Sequence, residues 1–413
     1  METESALSAP LENIGFEKAL KLSLEAAGIL EPVAEHLDKL LGHVLAGSIT
    51  AQADCPSIDS SLRDGFAVAA SDLADATSER PVRLPIVGSL SAGSVASLEA
   101  GPGKAVQITT GAPIPAGADV VLPTEYCYTD NDHVFCSRPV TAGGYILERG
   151  ADVRVGDLIA REGDVLTPSL IGLLAASGII RAAIHPFPFV SLITTGDEVK
   201  LPGEPLAPGS LYASNMVALA AWSKRFGIHS RLMLVPDSEK AIKETVKKAL
   251  SAAQTVIIIG GTGSGNRDFT GPVLSELGWR TIYSKVRMRP GKNTKFGLLD
   301  GIPVFCLPGG PSAAETAFLQ IVLPCLLAMS KRSPRPFPLV EARFAGSLRK
   351  KKTGVMFLRG TVFTRDNETW VEPLRTGSRL KDMAASRALI MIPENCETVE
   401  QGGFVRVQIV EPS

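Results

Sequence analysis

The chain has 413 residues, of which 45% are hydrophobic and 21% charged, and its formal net charge is −1 at pH 7. That length exceeds one ordinary core and predicts about two to four domains. The near-neutral balance excludes a global attraction to nucleic acid or to an acidic membrane surface, so any anion binding has to be local.

The six cysteines, Cys55, Cys127, Cys136, Cys306, Cys325 and Cys396, are dispersed. They form no CxxC pair and have no histidine at metal-ligand spacing, so reduced thiols are expected. The N-terminal METESALSAPLEN is acidic and polar, unlike a secretory signal. The longest apolar stretches, 169–180 and 317–329, carry polar residues or a proline and are expected to fall short of a bilayer span. An intracellular, cytoplasmic protein that takes neither nucleic acid nor membrane as partner is the expectation.

In chain order, FEKALKLSLEAAG sets Leu20, Leu22, Leu24 and Ala27 among charges and predicts an amphipathic helix ended by Gly28. EPVAEHLDKLLGHVLA is similar and also predicts helix. From about residue 50 to 144, short apolar runs separated by Pro, Gly and Asp predict a small, mostly β domain. LTPSLIGLLAASG returns to helix, with Thr167 or Ser169 placed to cap it. From Phe187 onward strands and helices alternate. The apolar runs at 189–193, 256–259 and 304–307 lead into TTGDE, GGTGSG and PGGPSAA. SNMVALAAWSKRFG and DSEKAIKETVKKAL read as intervening helices, capped by Ser214 and by Asp237 or Ser238. This is the pattern of a doubly wound α/β domain, whose ligands sit outside the carboxyl ends of the strands, so all three loops should open onto one rim. After the proline-rich KRSPRPFPL, alternating runs from about Val340 predict a small terminal β-barrel or sandwich.

The loop TVIIIGGTGSGNRD carries the strongest local signal. Gly260, Gly261, Gly263 and Gly265 let the backbone turn and bring N–H groups close to an anion, although the same glycines would also serve a tight strand-to-helix turn. Asp59, Asp64, Asp152, Asp197, Glu198 and Asp268 lie in turn-like surroundings. Carboxylates beside glycines at strand ends suit a hard cation such as Mg²⁺, and equally suit turns that bond their own backbone.

Opposite charge comes from KVRMRPGKNTKFG, where alternation places Lys285, Arg287 and Arg289 on one face of a strand and Lys292 in the following turn. An oxyanion pocket and a lysine-defended edge strand both fit that pattern. RKKK, at 349–352, reads as solvated surface. The five scattered histidines lie in no nucleophile or metal motif. Carboxylates, a divalent cation, basic residues and backbone N–H groups together are the chemistry of phosphoanhydrides.

Nine segments in order then resemble one family, the molybdopterin molybdenumtransferases, which include the E domain of gephyrin. They are DSSLRDGFA, TTGAPIPAGADVVLPTE, ERGADVRVGD, TTGDEV, LYASN, GGTGSGNRD, RPGKNTKFG, CLPGGPSAA and PLRTGSRL, spanning residues from about 50 to 400. The resemblance implies an α/β multidomain protein: a doubly wound molybdopterin-binding α/β domain, small mostly-β domains and a C-terminal β-barrel. It divides the chain into domain I (1–55 and 145–182), a β domain II inserted in it (56–144), the α/β domain III (183–335) and the barrel domain IV (336–413). It further implies a homodimer, with each active site in a cleft between the α/β domain of one subunit and the small β domain of the other. The implied reaction is Mg²⁺-dependent insertion of molybdate into adenylylated molybdopterin, with release of AMP. A molybdopterin adenylyltransferase could hand over that substrate.

Position by position, the resemblance assigns Asp59, Asp152, Glu198 and Asp268 as catalytic and metal-binding acids, and Lys292 as a catalytic base-rich-turn residue. Thr110 and Gly111 match the loop that faces substrate across the dimer. Substrate-binding candidates at the strand-end loops are Thr195, Gly196, Gly260, Gly261, Thr262, Gly263, Pro308 and Gly309. Arg289 would recruit molybdate, and Ser378 and Arg359 match positions in the terminal domain.

The chain departs from the family pattern at Gly271 (lysine), Gly310 (asparagine), Asn293 (proline) and Ala151 (Glu). GGTG followed by Arg-Asp resembles the molybdopterin adenylyltransferases instead. An adenylyltransferase, a tungstate-specific paralogue and a non-catalytic pterin-binding scaffold are therefore the alternatives.

Overall fold

A strand covered on both faces reads as an uninterrupted apolar run, and Thr255–Ile259 is buried at every position. In the computed structural model, which describes residues 10–95, 98–261, 269–350 and 353–411, this strand lies at the centre of a parallel sheet. Val190–Thr195 and Ile302–Leu307 flank it, both parallel, and Ser230–Val235 extends the sheet beyond Val190–Thr195. Ile257 and Ile259 enter one core, formed with the helices Phe16–Ala27 and Ser214–Arg225 and the long helix that begins at Pro311. Val256 and Ile258 enter the core on the opposite face, against Glu239–Leu250 and Thr270–Glu276. The domain is thus doubly wound, and the carboxyl ends of its parallel strands share one rim.

Two antiparallel strands continue the sheet: Lys295–Leu299 pairs with Ile302–Leu307, and Arg280–Arg289 pairs with Lys295–Leu299. The last residues of Arg280–Arg289 then meet the terminal domain, Met288 opposite Val355 and Arg289 opposite Met356. Five strands close that domain into a barrel: Val355–Arg365, Glu368–Pro373, Leu339–Phe344, Phe404–Ile409 and Ala388–Ile392, the last pairing back to the first. Ala342, Phe344, Val371, Ile390 and Val407 fill it.

The run at 317–329 belongs to a longer element than its sequence suggests. Pro311–Ala317, the π-turn Phe318–Val322 and Leu323–Met329 form one helix of 19 residues, long and apolar enough to cross a membrane by length and composition. Its apolar window is 83% buried inside the protein, which accounts for the composition by core packing.

By packing, the chain forms two compact units. The one just described comprises Met1–Val33, Gly42–Val44 and His185–Ser413, and the other Ala34–Leu41 and Leu45–Ile184. The second contains a six-stranded sheet in the order Cys127–Asp130, His133–Cys136, Val82–Leu90, Ala105–Ile108, Gly65–Val68 and Val120–Pro123. Gly65 of the RDGF motif is required by close approach, since a Cβ there would lie 2.0 Å from the Leu122 carbonyl oxygen. Pro168–Ala176 packs on Leu40, Leu45 and Leu166, and Thr167 caps it by accepting from the Leu170 N–H.

Three local expectations are corrected. EPVAEHLDKLLGHVLA forms the strand Val33–His36, a single turn at Leu37–Lys39 and the strand Val44–Leu45, because Leu37 and Ala46 donate their N–H groups to Ile180 and Ala183 rather than along a helix. Ala213, not Ser214, occupies the N-cap of Ser214–Arg225, and Ser238 caps Glu239–Leu250 without a side-chain bond. The alternation of KVRMR holds, with Val286 and Met288 buried and Lys285, Arg287 and Arg289 on the less buried face, while the positive φ of Lys285 marks an irregularity where the strand enters this run, Tyr283 and Val286 both being buried. In RKKK, Lys350 is buried, and its ammonium donates to the carbonyls of Gly354, Pro393 and Glu394.

Candidate functional site

The strand-end loops meet in a cavity of about 870 Å³. Thr194, Thr195, Gly196 and Glu198 line it from the first loop, Ile259, Gly260 and Gly261 from the second, and Pro308, Gly309 and Gly310 from the third. The shared rim expected from the α/β pattern is therefore present. Thr262, Gly263 and Asp268 lie outside the described residues.

The first glycine of two loops extends the ladder instead of facing a ligand. Gly196 donates to Val235 O at 3.3 Å and Gly260 to Leu307 O at 3.1 Å. Gly260 has φ of 96°, and a Cβ on it would stand 3.2 Å from Thr195 O, so the two loops touch only because the residue is glycine. The amides that can meet an anion thus begin after Gly260.

The sequence LYASN adds what the glycines alone did not reveal. Its Asn215, in the first turn of Ser214–Arg225, donates from Nδ2 to Gly309 O at 2.7 Å and fixes the third loop to the helix. Ser214 and Asn215 bring the start of that helix to the cavity, where its partial positive charge favours an anion. Tyr212 and Leu211 give an apolar wall.

Glu198 folds back over Gly196: both carboxylate oxygens lie 3.0 Å from the point where a Gly196 Cβ would be. Glu198 is exposed and has no ion pair or side-chain hydrogen bond among the described residues. Neighbouring Asp197 is used differently, accepting from the Asp237 N–H at 3.1 Å.

The basic segment is divided among three cavities, Lys285, Asn293 and Lys295 also lining one of about 540 Å³ with Gly271. Asn293 lines the rim cavity, whereas Arg289, Pro290, Gly291 and Lys292 line a second one of about 450 Å³ with Met356, Phe357 and Leu358 of the barrel. Arg287 does not join them. Its guanidinium bonds Glu394 at 2.5 Å and Asn13 O at 2.9 Å, tying the first strand and the barrel to the sheet. Arg359 is likewise taken up, in a buried ion pair with Glu315 at 3.0 Å. Ser378 Oγ accepts from the Lys381 N–H, and its neighbour Arg379, which sequence reasoning passed over, is the residue that lines the rim cavity.

In the second unit the segment 55–64 gathers the remaining residues. Asp59 accepts from the Arg149 N–H at 2.7 Å, Asp152 donates its N–H to Cys55 O at 2.9 Å, and Gly111 donates to Ser61 O at 2.8 Å. Asp64 holds Thr110 through both its N–H, at 2.7 Å, and its hydroxyl, at 3.0 Å. These bonds, the backbone one first, lower the Asp64 carboxyl below its ordinary value. Asp59, Thr110, Gly111 and Asp152 are all exposed. Among the described residues of this one chain, no group of three or more His, Cys, Asp or Glu is arranged to hold a metal ion.

The side chains lost relative to the resemblance were not displaced by packing. A Cβ on Gly271 or Gly310 would meet nothing within 4 Å.

Three family models cover the chain: the MoeA N-terminal region (domains I and II) over 14–178, a probable molybdopterin-binding domain over 191–328, and the MoeA C-terminal region (domain IV) over 341–410. The molybdopterin molybdenumtransferase of Synechococcus elongatus is 33% identical over 97% of this chain and 98% of its own. That of Bacillus subtilis is 31% identical over 91% and 89%. Two crystal structures of the molybdopterin biosynthesis MoeA protein of Pyrococcus horikoshii, at 29% and 26% identity, superpose with TM-scores of 0.78 and 0.75. They cover 97% and 96% of this chain and 100% of each of their own.

Proposed function

Because the chain belongs to the molybdopterin molybdenumtransferase family, we propose that it inserts molybdate into adenylylated molybdopterin in a Mg²⁺-dependent reaction that releases AMP. The observation that carries this reading is the rim cavity. Its volume of about 870 Å³ lies within the range of small-molecule sites, and it combines strand-end backbone, a helix start and an apolar wall.

Within it, the Gly261 amide and the first turn of Ser214–Arg225 face the phosphates, and Leu211 and Tyr212 face an aromatic ring. Arg289 and Lys292 draw molybdate into the adjoining cavity. Consecutive residues Lys292 and Asn293 thereby link an oxyanion subsite to the nucleotide subsite. A molybdate oxygen attacks the phosphorus of the AMP group as the P–O bond to the pterin phosphate breaks, its electron pair leaving on that phosphate; the pterin's dithiolene sulfurs bind the molybdenum, and breakage of the metal's bond to the attacking oxygen releases AMP carrying that oxygen.

The free carboxylate of Glu198 fits a hard divalent cation, and a second subunit's Asp59 and Asp152 complete the ligand set in this proposal, with Asp268. Bound there, Mg²⁺ would neutralise the charge of the pyrophosphate linkage. Thr110 and Gly111, positioned by Asp64 and Ser61, close the site from the same second subunit.

Expression in a bacterium lacking its own molybdenumtransferase tests the reading. Restored activity of its molybdenum enzymes is expected, and folded, soluble protein that restores none would refute it. Transfer of AMP from ATP to molybdopterin by the purified chain would establish the adenylyltransferase alternative instead.

A further inference from the structure

The charges lining the rim cavity are unevenly distributed. Among the described lining residues Glu198 and Asp237 are acids, and Arg379 is the one cation. An anionic ligand held by backbone amides alone would face the unpaired Glu198 carboxylate, so a guanidinium on the cavity wall favours its binding.

Arg379 opens the helix Arg379–Ala385 of the barrel domain, and the loop before it is fixed independently of its side chain. Thr376 gives Asp382 two hydrogen bonds, from its hydroxyl at 2.6 Å and its N–H at 3.2 Å. Four arginines of the same domain are engaged by carboxylates: Arg343 by Glu368, Arg359 by Glu315, Arg365 by Asp366 and Arg387 by Glu411. Arg379 is exposed and has no such partner among the described residues. Its guanidinium is therefore left to the cavity that it lines.

We propose that Arg379 is a binding residue of the rim cavity, whose guanidinium holds the phosphate of a nucleoside monophosphate group. The planar fork offers two parallel N–H donors to phosphate oxygens, a geometry that an ammonium does not reproduce. The phosphate, not the base, is therefore what this position reads.

The inference rests on the molybdenumtransferase reading. Calorimetric titration of the full chain with AMP, adenosine and inorganic phosphate separates the two. Arg379→Gln is expected to weaken AMP binding about tenfold, Arg379→Lys to restore part of it, and adenosine affinity to stay unchanged in both. Equal AMP affinity in wild type and Arg379→Gln overturns the assignment and leaves the reading intact. Parallel losses for AMP and adenosine overturn it as well, by showing a structural role. Arg379-dependent binding of inorganic phosphate without AMP or adenosine binding keeps the anion role and overturns the nucleotide reading, and binding of none of the three overturns both.

Discussion

Asp64 and Thr110 show how a short motif sets a loop. The carboxylate accepts two bonds from one threonine, which hold its carboxyl below the ordinary carboxylate range in the folded protein. The sign follows from linkage: a depressed carboxyl contributes stability above its unfolded value, lost as pH falls through the folded one. The Thr110 loop is thus expected to keep its geometry throughout neutral and mildly acidic pH and to loosen only at pH below the ordinary carboxylate range. NMR titration of the Thr110 amide checks this. A midpoint near neutrality would contradict it, and Asp64→Asn should abolish the transition. The aspartate was legible in DSSLRDGFA, but its partner, 46 positions on, was not. A turn aspartate and one that organises a distant loop read alike along the chain.

The elements were more legible than the ends that join them. Period and run length identified the parallel strands, because burial on both faces leaves a continuous apolar signature. The same reasoning failed at 31–46, where helical spacing was overridden by backbone bonds to residues 164–183. It also misplaced Lys350, since nothing local distinguishes a surface lysine from one that binds three carbonyls. The ion pair between Arg359 of the barrel and Glu315 of the buried helix is a long-range fact of this kind, 9% and 7% exposed. Removing one partner leaves an uncompensated buried charge, so Arg359→Met is expected to destabilise by about 3 kcal/mol, and the double change with Glu315→Leu to recover most of it. Urea midpoints of the three variants decide this. A double variant no more stable than Arg359→Met would show that the pair does more than neutralise itself.

At the scale of the whole molecule, the nine motifs led to the family because they recur in order over most of the chain. They could not show which residues converge, and Gly65 of DSSLRDGFA proves to serve packing, making room for a neighbouring carbonyl. If each site takes its α/β rim from one subunit and Asp59 from the other, two inactive variants should complement. Mixed subunits of Asp59→Asn and Glu198→Gln are expected to regain about a quarter of wild-type activity, one intact site in half of the dimers. No recovery after verified subunit exchange would place both acids in a site made by one chain.

The most direct measurement supplies purified protein with adenylylated molybdopterin and Mg²⁺ and follows AMP while molybdate is varied. AMP release that rises with molybdate to saturation, and that falls about a hundredfold in Glu198→Gln, is the predicted result. AMP release that ignores molybdate, or none at all from protein that binds the substrate, would contradict the account.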